Sequence, residues 1–126
     1  MGDRARPGTG TVVKAAAYVP SRGDLIWISL NPQAGHEQAG RRPAVVLSPA
    51  SYNAAVGLAL LCPVTSRIKG YPWEVVIPEG LPVTGVALSD QVKSLDWRIR
   101  RAERIAPLPA SVTAEILGKL GTLLAD

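Results

Sequence analysis

The stretch GDLIWISLNPQAGHEQAGRRPAVVLSP, residues 23–49, decides the fold. Its opening part, 23–30, is apolar and β-favouring and is bounded by Gly23 and by the Asn31-Pro32 pair, so it predicts a first strand. Residues 43–48 predict a second, with Pro43 at its first position, where a strand tolerates a residue that has no N–H. The connection runs to about ten residues, against the two to five usual in a β-hairpin. Loops held between rigid strands are where binding and catalytic side chains accumulate, and this one carries His36, Glu37, Gln38, Arg41 and Arg42. Arg42 offers a planar fork that matches phosphate geometry, and Glu37 a carboxylate able to orient a hydroxyl or take a proton. Equally, the two can simply pair across the loop. The chain's single histidine suits a general base by its ordinary pKa of about 6.5, but there is no second histidine to serve as the acid.

Working outward, residues 49–56 predict a helical turn with Pro49 and Ser51 near its start. Residues 57–65 give a third strand ending at Thr65, 66–72 a basic loop, and 73–77 a fourth strand. Residues 85–89 and 91–95 are two more strand-like pieces, and 96–109 a short strand with its connection. Val112, Ile116, Leu117, Leu120 and Leu124 recur at helical spacing, which predicts a C-terminal amphipathic helix with Ser111 as N-cap. Short strands closed by one helix point to a small barrel-like sheet. Residues 1–17, rich in Gly, Pro and Arg, predict a flexible extension ahead of one domain over 18–126.

At 126 residues the chain fits one domain that hides roughly two-thirds of the surface of the open chain, so a core needs no staples. Its one cysteine, Cys62, cannot form an intrachain disulfide and sits in the apolar run LALLCPV, which predicts a buried thiol in a reducing compartment, the cytoplasm. No apolar run approaches the ~20 residues of a membrane helix, so no membrane association is expected. The net charge of +4 is modest, but its distribution is not even. Arg41 with Arg42, Arg67 with Lys69, and Arg98, Arg100, Arg101 and Arg104 form three basic patches, the last offset only by Glu103. A rim hydroxyl at Thr65 beside Arg67 and Lys69 can hydrogen-bond a phosphate oxygen, or can simply close a strand. Trp27 and Trp73 fall in strands and are expected as core or interface rings; Trp97 beside Arg98 suits a cation–π pair or a plain surface. No metal-spaced Cys/His set appears, and no cofactor is expected.

Three blocks carry a resemblance to a known family. The pattern GDLIWISLNP…EQAG…RPAVVLSP…YN, then CPVTS…KGYPWEVVI, then GVALSDQVKSLDW resembles the MazF/PemK toxins of toxin–antitoxin modules, closest to the MazF branch, from about Val19 to the C-terminus. The resemblance implies a mainly β fold with helices, an SH3-like barrel of the MazF/PemK/CcdB type with a C-terminal helix, as a homodimer. It implies a metal-independent, sequence-specific endoribonuclease that cuts single-stranded mRNA using the RNA's own 2′-hydroxyl, leaving a 2′,3′-cyclic phosphate and a 5′-hydroxyl. The family's loop arginine falls on Arg42 and its strand-end hydroxyl on Thr65, both carried over as catalytic; its loop glutamate falls on Glu37, for proton handling or substrate ordering.

Family likeness further points to the loops around 31–41 and 67–72 and to the segment SDQVKS for RNA binding. The expected substrate-binding residues are Asn31, Gln38, Arg41, Ser66, Arg67, Lys69, Tyr71, Gln91, Lys93 and Ser94. His36 departs from the family pattern, which more often has a small residue there. A MazE-like antitoxin with an acidic or apolar tail across the basic groove is the implied protein partner. Two other readings compete: a CcdB-like toxin that poisons gyrase by binding, whose relatives end in Trp-Gly-Ile where this chain ends LLAD, and an RNA-binding barrel without activity.

Overall fold

A computed structural model describes residues 17–30 and 40–125. Among them run seven strands and two helices in the order β1 (Asp24–Ser29), β2 (Arg41–Val46), α1 (Ala50–Val56), β3 (Leu58–Thr65), β4 (Glu74–Val76), β5 (Val86–Leu88), β6 (Lys93–Asp96), β7 (Glu103–Pro107) and α2 (Ala110–Leu124). All pairings are antiparallel, along the path β4–β5–β3–β2–β1–β7, with β6 also on β3. The long strand β3 is the hub, since β2, β5 and β6 all pair with it. The mainly β architecture with a C-terminal helix is as expected. The sheet curls like a barrel without closing, for no pairing joins β4 to β7 among the described residues.

Strands β1 and β3 and the second half of β2 read as apolar runs because both of their faces are largely covered. Leu25, Val45, Cys62 and Val64 pack with Val75 and with Ile116 of α2. Their sequence neighbours Ile26, Ala44, Val46 and Leu61 point the other way, into a second cluster with Ile28, Ala59 and Trp97. This period-two alternation between two buried layers fixes register, since a one-residue slip would exchange the layers. Cys62 is fully buried, and burial pushes its thiol pKa up to about 12.

Several boundaries shift by one or two residues, and two of the shifts have a clear physical reason. Strand β2 begins at Arg41 rather than Pro43, because Arg41 and Arg42 already pair with Ser29 and Ile28. The proline is tolerated inside the strand because β3 joins only at Ala44, so no ladder on that edge lacks its N–H. Helix α2 begins one residue before Ser111, and its N-cap is Pro109, whose carbonyl takes the N–H groups of Val112 and Thr113. Ser111 is therefore helical and caps nothing. Residues 1–16 of the expected extension lie outside the described residues.

A single buried amide ties α1 to the sheet. Asn53 donates from Nδ2 to the carbonyls of Pro20 (2.8 Å) and Ser48 (3.0 Å), accepts the Ser48 hydroxyl at 2.6 Å, and its own carbonyl accepts Trp97 Nε1–H at 2.9 Å. Truncating the amide orphans two buried carbonyls, each costing on the order of 1–3 kcal/mol. Asn53→Ala is accordingly expected to lose about 2–4 kcal/mol in urea unfolding, whereas a loss under about 1 kcal/mol would contradict the assigned network.

Candidate active site

The end of β3 opens into a cleft of about 480 Å³ lined by Thr65, Arg67, Lys69, Tyr71, Glu74, Leu88 and Gln91. Five of the expected site residues thus meet in one place: a hydroxyl, two exposed cations, a phenol and an amide. Thr65 Oγ1 accepts the N–H of Arg67 at 3.1 Å, which orients the oxygen and leaves its proton to donate elsewhere. Ser66, the next residue, is exposed at the bend that starts the loop.

The loop that carries Arg67 and Lys69 is held at its base by Glu74, a carboxylate only 9% exposed. Its two oxygens accept the N–H groups of Lys69 and Gly70, each at 2.9 Å. From α2, Lys119 Nζ donates to the carbonyls of Pro72 (2.6 Å) and Glu74 (3.1 Å), and Trp73 returns its indole N–H to the Lys119 carbonyl at 3.0 Å. Trp73 is half-buried on that helix. Across the cleft Tyr71 donates its hydroxyl to Asp90 at 2.7 Å, and that bond holds the phenol's pKa above its ordinary value. Charged hydrogen bonds of the Glu74 kind contribute about 1.5–3 kcal/mol. In Glu74→Ala, exchange protection of the Lys69 and Gly70 amides is therefore expected to fall roughly ten- to a hundredfold, and unchanged protection would deny the carboxylate this role.

Arg42 does not line that cleft, but the strand register relates it to Thr65. The last β2–β3 pair is Ala44 with Pro63; the same register, extrapolated two residues past the end of that pairing, runs toward Arg42 and Thr65. Alternation agrees: Ala44 and Val46 on β2, like Ala59 and Leu61 on β3, face the Trp97 cluster, and two-residue steps carry that face to Arg42 and Thr65. Arg42 Nη1 donates to the Arg41 carbonyl at 2.9 Å. Arg41, by the same alternation, belongs to the opposite face. Its guanidinium is committed to Glu103 at 3.0 Å and to the Arg101 carbonyl at 3.2 Å, beside a separate cavity with Trp27 and Arg104. Lys93 and Ser94 lie exposed on β6, outside the cleft lining. Glu37, Asn31, Gln38 and His36 lie outside the described residues.

Trp27 is neither core nor closed in: it is 36% exposed and lines the Arg41 cavity. Trp97 is buried, with the Arg98 guanidinium 4.6 Å above its ring, so the cation–π pair is present. Glu74 and Asp90 are polar partners that sequence reasoning passed over, and Glu103, expected only to offset the Arg98–Arg104 patch, pairs with Arg41. The signal for Glu74 was a lone carboxylate four residues after Gly70, where loop amides need an acceptor.

A strand-end alcohol beside basic side chains can hydrogen-bond a phosphate oxygen, and this points to a class: small antiparallel β proteins acting on nucleic acid. Residues 21–124 match the family described as PemK-like, MazF-like toxin of type II toxin-antitoxin system. The endoribonuclease toxin MazF of Escherichia coli K12 is 49% identical over 107 residues, which span 85% of this chain and 96% of that protein. The endoribonuclease PemK of Escherichia coli is 36% identical over 108 residues, spanning 82% of this chain and 80% of the relative. Among solved structures, MazF from Deinococcus radiodurans superposes with a TM-score of 0.78 at 62% identity, covering 86% of this chain and 98% of that one. A MazE–MazF complex from the same organism gives 0.78 at 55% identity, with the same coverage. The chain belongs to the PemK/MazF toxin family.

Proposed function

We propose that this toxin-family endoribonuclease cuts single-stranded RNA at a phosphate gripped jointly by Arg42 and Thr65. In the reaction the 2′-oxygen bonds to phosphorus and the bond to the 5′-oxygen breaks. One proton leaves the 2′-hydroxyl and one reaches the 5′-oxygen, so the products are a 2′,3′-cyclic phosphate and a 5′-hydroxyl. Negative charge grows on the phosphorane oxygens as the new bond forms. A fixed guanidinium and an alcohol aimed at those oxygens stabilise that state more than the ground state and so lower the barrier. Glu37 takes part in proton handling or substrate ordering. Arg67, Lys69, Tyr71 and Gln91 bind the strand along the cleft, joined by Asn31, Gln38 and Ser66 from the flanking loops and by Lys93 and Ser94 from β6.

The observation that supports this reading above the others is the Thr65 hydroxyl at the mouth of the basic cleft, its oxygen oriented by the Arg67 N–H. Two copies of the chain pair into a homodimer in the cytoplasm, and a MazE-like antitoxin silences them by laying an acidic or apolar tail over the same cleft. The Deinococcus MazE–MazF complexes are the support for that partner. The test is cleavage of a long single-stranded RNA in EDTA, with both new ends mapped chemically. Cyclic phosphates and 5′-hydroxyls are expected; 5′-phosphate ends, or no cutting, would refute the mechanism.

A further inference from the structure

The densest basic patch of the sequence, Arg98 to Arg104, is not used by the cleft, yet it is built as a rigid turn rather than a loose loop. Asp96 Oδ1 accepts the N–H groups of Arg98 and Ile99, each at 3.0 Å, and the Trp97 carbonyl accepts the Ala102 N–H at 2.9 Å. Arg100 turns inward and donates to the carbonyls of Ser29 (3.1 Å) and Leu30 (2.9 Å), where the chain leaves β1. Arg41, where the chain re-enters the sheet, reaches back to the Arg101 carbonyl at 3.2 Å. The turn is therefore bolted to both ends of the 31–40 connection.

Two of its arginines face outward. Arg98 is exposed, with its guanidinium propped 4.6 Å over the buried Trp97 ring. Arg101 is exposed at φ +57°, the one positive φ of a non-glycine among the described residues. A glycine would present the same carbonyl to Arg41 without strain, so the side chain itself is what the strain retains. Trp97 and Ala102 pack on the Ile28–Ala44–Leu61 cluster, the face that alternation carries on to Arg42 and Thr65. Lys93, opposite Leu61 on β6, lies between the cleft at Gln91 and this turn.

We propose that the Arg98–Arg101 turn is a second phosphate-contact surface, which takes the backbone of the same RNA strand outside the cleavage site. This rests on the reading of the cleft as an RNA site. Two exposed guanidiniums on one turn can neutralise phosphates without reading bases, so they add affinity and salt dependence but no sequence preference.

The test is equilibrium binding of fully 2′-O-methylated RNA, which has no hydroxyl to attack and stays intact, to the full-length chain across a salt series. With an RNA extended on both sides of the cleavage sequence, the double variant R98A/R101A is expected to bind more weakly, and its log–log salt slope to shrink by about 1.4, or ~0.7 per lost contact. With an oligonucleotide confined to the cleavage sequence the two proteins are expected to bind alike, and R98K/R101K is expected to restore most of the slope. An unchanged slope on the long RNA overturns the proposal. So does a loss confined to binding of an acidic antitoxin segment, which would make the turn a protein-contact surface. If the chain cuts no RNA, the mechanism above fails while this binding measurement still decides the role of the turn.

Discussion

Replacing Arg42 by alanine is expected to lower the single-turnover rate of RNA cleavage by about 10²- to 10³-fold while leaving the unfolding midpoint within experimental scatter. The magnitude is that of removing one preorganised donor from the place where transition-state charge collects, about 2.7–4 kcal/mol. Stability is spared because Arg42 is exposed near the start of its strand, where substitutions usually change stability little. Arg42→Lys is expected to recover only part of the rate, since a point charge replaces a fork able to hold two phosphate oxygens. A KM increase with unchanged kcat would mean instead that the guanidinium binds ground and transition states equally.

The second large effect is expected at a residue with no side chain. Gly85 has φ +126°, and a Cβ built there would lie 2.2 Å from the Thr65 carbonyl oxygen and 2.8 Å from its carbon. Thr65 also pairs with the next residue, Val86, so the clash falls on the backbone that presents the Thr65 hydroxyl. Gly85→Ala must therefore move the end of β3 or the start of β5. It is expected to cost about 2–3 kcal/mol, or roughly 10 °C in Tm, through steric and backbone strain. Misplacement of a catalytic group by about 1 Å can cost a hundredfold, so kcat is expected to fall by that order even well below Tm. Wild-type kcat in a folded Gly85→Ala protein would show that the position of Thr65 does not matter to turnover.

These effects illustrate which parts of the molecule the sequence discloses. Strands β1 and β3 were legible because Leu25 with Ile26, and Leu61 with Cys62, supply opposite buried layers and so leave unbroken apolar runs. Thr65 was legible as a strand-end hydroxyl because polar and basic residues follow it at once. Pro43 misled, since proline marks a strand's start unless one edge is unpaired, and which edge is unpaired depends on where β3 joins. Ser111 misled because the carbonyl of Pro109 already serves the first helical amides. The Glu74 clamp, the Arg41–Glu103 pair and the close approach at Gly85 join residues that only the folded sheet brings together. The same holds for the division of labour between neighbours: Arg41 braces a turn while Arg42 takes the other face, a difference of one residue along a pleated strand.

The most direct test of the account is a double-mutant cycle on single-turnover cleavage, using wild-type protein, Arg42→Ala, Thr65→Ala and the double variant. Two donors serving one phosphorane act as a unit, so the double variant should lose far less than the product of the two single losses, with a coupling above about 1 kcal/mol. Losses that simply multiply would contradict it, for they would mean that the guanidinium and the hydroxyl work at separate places.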